Sequence, residues 1–316
     1  MFALVAKRGV GLVLTAVLAS IIVFLALSVL PGDPARQILG TSATVESVEA
    51  LRRELGLDRP IVERYFAWLS GVLSGDFGRS FTYGVPVSQL IVERAVVSVP
   101  LAAMALLITV ILALPMGIVA AARRGGWLDR TITLLAQTGI AVPNFWFAII
   151  LVQLFAVTLR ALPSGGFPGW SDPMEAFTAL ILPSVSLAIP QAAILTNIVR
   201  SSLLDVLSQD FIRTAAAKGV GPVRILLQHA LRNGLLPVLT IMGLQFAFLI
   251  SGVIIIEQVF SLPGLGRLAF EAIAREDLPV VQGVVLCLVI TVIVVNFIVD
   301  LTYHLAEPRL RAPRTH

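Results

Sequence analysis

The sequence predicts an all-α polytopic membrane protein with six transmembrane helices, and three observations carry that prediction. Hydrophobic residues make up 57% of the 316-residue chain and charged residues only 13%, against roughly 45–50% and about 25% in soluble domains. Six stretches free of Lys, Arg, Asp and Glu reach the roughly 20 residues that cross a hydrocarbon core. Lys and Arg concentrate in alternate connections between them, the asymmetry that sets membrane orientation.

The six stretches are Gly9–Leu30, Ala95–Ala122, Thr131–Leu159, Ala176–Val199, Asn233–Ile256 and Leu278–Val299. No water satisfies backbone polar groups inside a bilayer, so each must be helical. Pro100, Pro115, Pro143, Pro183, Pro190 and Pro237 fall in or near these runs and are expected as kinks rather than loops. The first run, behind Lys7-Arg8, also resembles a signal peptide, with Ala26-Leu27-Ser28 imitating a cleavage site. Its apolar region is longer than the ~7–15 residues of such a signal, so residues 1–31 are expected to remain as an anchor helix.

Orientation follows from the short connections. One side carries Lys7, Arg8, Arg123, Arg124, Arg130, Arg200, Arg213, Lys218, Arg224, Arg232 and, in the tail, Arg309, Arg311 and Arg314. The other side carries Arg160, Arg267 and Arg275, once the long segment 32–94 is set aside. Both termini are therefore expected in the cytoplasm, with the chain in the cytoplasmic (inner) membrane. The same asymmetry accounts for the net charge of +4, so the bilayer is the expected partner and nucleic acid is not.

Segment 32–94 is the sizeable exported region. It mixes charges with turn signals such as Gly56-Leu57-Asp58-Arg59-Pro60 and Gly75-Asp76-Phe77-Gly78. Glu46–Leu55 has helix-favouring composition. Ile61–Leu73 is too short to span, and its Tyr65, Phe66 and Trp68 suggest a helix packed at the membrane interface. A cap or lateral brace is favoured over a binding domain, because so short a segment cannot build its own core. Residues 95–305 then hold five of the spans and the cytoplasmic loop 200–232, and 306–316 form a cytoplasmic tail.

Within that loop, Asp210 to Gly219 reads as a two-turn helix. Asp210 suits its N-terminal end, Lys218 the negative end of its dipole and Gly219 a left-handed C-terminal cap. Pro222, after Gly221, suits the first turn of a new helix. The alanines of the short helix would let another surface approach closely; a solvated connector and a docking element are both open on this evidence.

Several chemistries are missing. No Gly-x-x-x-x-Gly-Lys-Ser/Thr stretch exists to cradle nucleotide phosphates, and no Gly-x-Ser-x-Gly supports a serine hydrolase. His229, His304 and His316 are not grouped as metal ligands, so no metal site is expected. The lone Cys287 reads as packing in an apolar run. None of the six runs contains an ionisable residue, which counts against a carrier powered by an ion gradient. They hold instead the neutral polar groups Gln137, Asn144, Gln153, Gln191, Asn197, Gln245, Ser251 and Asn296. Those groups suit interhelical hydrogen bonds or a polar route for a solute. The rival classes are a stand-alone secondary transporter or channel and an intramembrane enzyme.

The order of short motifs resembles the inner-membrane permease subunits of binding-protein-dependent ABC importers, in the oligopeptide/dipeptide/nickel group. The likeness begins at Leu30-Pro31-Gly32-Asp33-Pro34, Leu55-Gly56-Leu57-Asp58 with Pro60, and Gly75-Asp76-Phe77-Gly78 with Ser80. It continues through Pro143 with Phe145-Trp146, and Arg200-Ser201-Ser202-Leu203-Leu204-Asp205-Val206-Leu207. The most specific stretch is Arg213-Thr214-Ala215 with Ala217-Lys218-Gly219, then His229-Ala230-Leu231-Arg232-Asn233. Glu257 with Phe260, Pro263-Gly264-Leu265-Gly266, Asp300 with Tyr303, and Glu307-Pro308-Arg309 complete it.

The resemblance implies a type I ABC importer transmembrane-domain fold and an ATP-driven transport subunit that is not itself an enzyme. Asp210, Arg213, Thr214, Ala215, Ala216, Lys218 and Gly219 would form the coupling helix that docks on an ATPase. The expected partners are a sister permease in a heterodimer, two ABC ATPase subunits and an extracytoplasmic substrate-binding protein. ATP and Mg would be used by the ATPases, and this chain would bind no cofactor. Asn144, Gln191, Asn197, Gln245 and Ser251 are candidates for the translocation path, and Glu257, Phe260, Pro263, Gly264 and Gly266 for an exported loop motif. Peptides are the expected cargo, with nickel chelates or glutathione as alternatives. Arg213-Thr214-Ala215 stands where the wider importer superfamily often has Glu-Ala-Ala, which is normal within the peptide group; Arg232 replaces a frequent proline, Asn144 a common serine and Glu307 the usual aspartate.

Overall fold

The computed structural model describes residues 2–28, 34–40 and 43–306. The motif residues 30–33, the tail with Glu307-Pro308-Arg309, and His316 lie outside the described residues. Among those described there is helix throughout and no strand, only an isolated bridge between Arg79 and Pro86. The helices are α1 Phe2–Ser28, α2 Pro34–Leu39, α3 Val45–Glu54, α4 Ile61–Leu73, α5 Val87–Ala122, α6 Trp127–Ala141, α7 Asn144–Leu151, α8 Pro173–Leu207, α9 Asp210–Ala217, α10 Pro222–Arg224, α11 Leu231–Val259, α12 Leu265–Ala274 and α13 Leu278–Ala306. Two π-helical segments interrupt this series: Val152–Thr158 continues α7, and Ile225–Ala230 joins α10 to α11.

Helices long and apolar enough to cross a membrane match five of the predicted runs, in α1, α5, α8, α11 and α13. The run Thr131–Leu159 differs from expectation. It is a pair of helices bent by 102° between Ala141 and Asn144, so Pro143 marks a break and not a kink. The cause is local: Val142 before the proline is extended (φ −88°, ψ 123°), as the ring's clash with the preceding residue favours. Pro100, Pro115, Pro183, Pro190 and Pro237 stay inside continuous helices.

Cα proximity divides the chain into two compact units, and α5 and α13 each contribute to both. The first contains, among the described residues, 2–5, 99–262 and 294–306. Its hub is α8, whose start is fixed by Asp172, which accepts hydrogen bonds from the Met174 and Glu175 backbone N–H groups at 2.9 and 3.2 Å, with Pro173 as the first helical residue. Most of α8 is buried among α6, α7 and α11. Lipid offers no hydrophobic drive for helix association, so close approach of small residues must supply the contact. Gly252 of α11 faces Leu187 of α8, and Gly139 of α6 faces the Ala193 Cβ. Leu195, Val199 and Leu203 carry the apolar core there with Ala113, Ala230 and Val238.

The second unit comprises residues 6–98 and 263–293. α3 opens with a capping box in which Thr44 and Ser47 satisfy each other's backbone N–H groups. α4 spans the residues expected of it and packs on α1. Tyr65 and Trp68 each lie 5.5 Å from the Phe24 ring, and the Tyr65 hydroxyl meets the Ser20 hydroxyl at 2.9 Å. Ile61, Val62, Phe66 and Leu73 remain exposed on α4, the arrangement of a helix with one face on protein and another for lipid. The core of this unit joins Val87, Leu90 and Ile91 of α5 to α12 and to Val280, Val281 and Val284 of α13, with Cys287 half-buried beside it.

Candidate functional site

The short helix α9 is built as the sequence suggests, with one shift. Its cap position is Gln209, and Asp210 is the first helical residue, with no side-chain cap bond at this end. Asp210 lies 3.3 Å from Arg213, but both side chains are almost fully solvated, so the pair contributes little to stability. The Thr214 hydroxyl donates back to the Asp210 carbonyl at 3.0 Å. Ile212 is the buried residue of α9, which packs next to the π-helical segment Ile225–Ala230. Phe211, Arg213, Ala216 and Ala217 are exposed and Ala215 is half-buried. One apolar anchor thus holds a helix whose remaining surface is open.

The end of α9 is a full Schellman motif. Lys218 is the C-cap, and Gly219 adopts φ +82°, the left-handed region that suits glycine. The Gly219 N–H bonds to the Ala216 carbonyl at 2.9 Å and the Val220 N–H to the Ala215 carbonyl at 3.2 Å. Gly221 and Pro222 then start α10 at once, with Pro222 as its first residue.

The five neutral polar candidates in the spans do not form one surface. Gln191 on α8 and Gln245 on α11 are both buried and come together, the Gln245 side-chain N–H donating to the Gln191 backbone carbonyl at 3.5 Å. The Gln191 Oε1 has no hydrogen-bond partner among the described residues. Asn144 opens α7, half-buried, with its Nδ2 3.1 Å from where a Cβ on Gly252 would sit. Asn197 is half-buried on α8. Ser251 is exposed, its hydroxyl turned to the Ala247 carbonyl at 3.3 Å. It belongs to a stripe with Leu244, Phe248 and Ile255 along one open face of α11, at the spacing of successive helical turns.

The loop motif of Glu257, Phe260, Pro263, Gly264 and Gly266 is divided between the two units. Glu257 and Phe260, in the first, are buried. The Leu262 N–H bonds to the Glu257 carbonyl at 2.9 Å, and the Gly166 N–H to the Phe260 carbonyl at 2.7 Å. A Cβ on Gly165 would come 2.5 Å from that same carbonyl oxygen, so only glycine lets the two backbones meet. In the second unit Pro263 is half-buried, Gly264 caps α12 in an extended conformation and Gly266 is buried in its first turn.

Two polar clusters escape sequence reasoning. Asp129 in the first turn of α6 is buried and receives Arg200 of α8 through two bonds, Nε to Oδ1 at 2.5 Å and Nη2 to Oδ2 at 2.9 Å. The Gly125 N–H adds a third at 2.8 Å. Asp277, buried before α13, accepts the Ser80 hydroxyl at 2.5 Å and the Phe81 and Thr82 N–H groups at 3.2 and 2.9 Å. Ser80 and Arg200 belong to noted motifs, but their carboxylate partners do not. No group of His, Cys, Asp and Glu able to hold a metal occurs among the described residues.

A close-packed helical hub with an open face along one span, and a short helix anchored by a single residue beside it, defines a membrane-embedded transport subunit. The chain belongs to the binding-protein-dependent transport system inner membrane components: that family's model matches residues 113–312, and the model of its N-terminal region matches residues 1–102. It is an ABC importer permease of the inner membrane. A peptide transport system permease protein of Brucella abortus (strain 2308) is 45% identical, covering 98% of this chain and 99% of its own. The glutathione transport system permease protein GsiC of Escherichia coli (strain K12) is 39% identical over 97% and 98%. In fold the chain is similar to a chain of the MetNI methionine ABC transporter in an inward facing conformation, with a TM-score of 0.58 and 18% identity, covering 69% of this chain and 97% of that one.

Proposed function

We propose that this permease forms half of an ATP-driven pathway carrying peptides, dipeptides or oligopeptides, into the cell, with a homologous sister permease as the other half. The observation that carries this reading is α9: an alanine-bearing surface held by Ile212 alone and aimed by a Schellman cap, a shape suited to a cleft on a separate ATPase. Two ATPases would bind and hydrolyse ATP with Mg, and an extracytoplasmic binding protein would deliver the cargo. Full-length relatives named for peptides and for glutathione support a peptidic cargo. The open stripe of α11 with Ser251 is the candidate wall of the route, while Gln245 bonds α11 to the Gln191 carbonyl of α8 and Asn144 of α7 lies close against Gly252 of α11. Both termini would lie in the cytoplasm, with Thr315 among the tail residues outside the described structure.

The test is reconstitution in liposomes. Uptake of a labelled dipeptide is expected only when the chain is combined with its sister permease, both ATPases, the binding protein and ATP. The chain alone is expected neither to bind ATP nor to accumulate the dipeptide. Accumulation by the chain alone would favour a secondary carrier.

A further inference from the structure

One turn near the end of α8 holds three other spans. A Cβ on Gly117 of α5 would lie 2.6 Å from the Val199 Cβ, so these two helices are nearly in backbone contact. The next residue, Arg200, grips Asp129 of α6 through the two-bond fork. Ser202 donates to the Gly234 carbonyl of α11 at 2.6 Å, and Leu203 lies 2.7 Å from where a Gly234 Cβ would stand. Residues 199–203 thus engage α5, α6 and α11 together, and the same helix runs on through Leu207 to the start of α9.

We infer that this turn is where displacement of α9 is divided among the spans, with Asp129, Arg200 and Ser202 as its positioning residues. The inference rests on the reading of α9 as the ATPase-docking helix. An α-helix transmits a push along its axis, and close-packed interfaces shift as bodies instead of deforming. Cohesion alone does not require a fork of charges: an apolar pair of similar volume often holds a buried contact as well. What the planar guanidinium on a carboxylate adds is a fixed angle between the two helices. Asp129 extends that hold to the preceding loop through the Gly125 N–H and reaches Thr133 on its own helix at 3.5 Å. The neutral Ser202 hydroxyl does the equivalent for α11, at a carbonyl next to Asn233, whose side chain donates to the His229 carbonyl of the π-helical segment at 2.9 Å.

The experiment uses the assembled importer in liposomes and needs no known cargo. Nitroxide labels at Ser208→Cys, the C-cap of α8, and Gln137→Cys, exposed on α6, report the distance between α6 and the root of α9 without nucleotide and with ATP and vanadate. The expected result is one distance in both states for the native pair, because the fork makes α6 and α8 a single body. In Asp129→Leu/Arg200→Met, which keeps an apolar contact and discards the fork, the distance is expected to shift between states by more than about 2 Å. In the same variant ATP hydrolysis persists while the binding-protein-dependent stimulation of hydrolysis falls about tenfold. Asp129→Asn, a smaller change, is expected to behave in the same direction if the double variant fails to assemble. A distance that already changes in the native importer would overturn the inference. So would a variant with unchanged distance and unchanged stimulation, which would make the fork mere packing. Gly219→Val separates the two readings: if it leaves ATPase association intact, the docking role of α9 fails, whatever the labels report.

Discussion

Asp277 and Ser80, 197 residues apart, meet through a buried hydrogen bond of 2.5 Å between hydroxyl and carboxylate. The same carboxylate takes the next two backbone N–H donors of that loop, and the Ser80 hydroxyl accepts from the Tyr83 N–H at 2.9 Å. One charge therefore organises the turn between Arg79 and Pro86. Ser80→Ala removes one charge-assisted bond and is expected to cost about 1.5–3 kcal/mol. Asp277→Ala also leaves the part-buried N–H groups of Phe81 and Thr82 without this acceptor and is expected to cost more. Limited trypsin digestion should cut at Arg79 in Asp277→Ala and spare the native protein; equal resistance would remove the organising role.

The C-cap of α9 gives a second prediction. Valine at Gly219 must enter left-handed geometry at φ +82°, at a cost of about 1–2 kcal/mol, and no heavy atom stands within 4 Å of the added Cβ. Membrane insertion should be unaffected, since the residue lies outside every span. Co-purification of the ATPases is expected to fall several-fold, as the chain after α9 leaves at a different angle. Ala216→Glu, on the exposed flank, should act in the same direction by adding bulk and charge.

Sidedness gives a third. Cysteines at Ser47 and Ser171 are expected to react with a membrane-impermeant thiol reagent in intact cells, and one at Ser208 only after permeabilisation. The basis is the skewed distribution of arginine in the short loops. Labelling of Ser208→Cys in sealed cells would invert the orientation.

Close packing gives a fourth. A methyl on Gly117 would meet Val199 at 2.6 Å and the Thr196 carbonyl oxygen at 2.9 Å, so Gly117→Ala should destabilise by about 1–3 kcal/mol through overpacking. Val199→Gly in the same chain removes the two nearer obstacles, the Cβ at 2.6 Å and the Cγ1 at 2.7 Å, and should recover part of the loss. The midpoint of thermal unfolding in detergent reads both; a double variant no better than Gly117→Ala would place the strain at the Thr196 carbonyl.

The features legible in the sequence are those a local rule controls. Lipid forbids charge over a full span, so five spans could be read as uncharged runs. Gly219 announced its cap because few other residues tolerate that backbone, and the aromatic stretch Ile61–Leu73 became α4 as expected. The break at Pro143 was not legible, since Pro183 and Pro190 also follow apolar residues and yet stay helical, so the proline alone does not say where the preceding residue turns extended. The forks at Asp129 and Asp277 join residues 71 and up to 197 positions apart, beyond the reach of any pattern along the chain. Nothing along the sequence marks the π-helical segments Val152–Thr158 and Ile225–Ala230 as distinct from ordinary helix.

A polypeptide leaves the ribosome N-terminal end first, and folding begins before it is complete. Tyr65 follows Ser20 by 45 residues, so α4 can brace α1 while most of the molecule is still unmade. The Arg79–Pro86 turn has to wait for Asp277, which is translated late. A product that stops short of Asp277 therefore carries that turn with the Phe81 and Thr82 N–H groups lacking this acceptor. Asp277 closes it, and a protected turn marks a chain that has been synthesised past that residue.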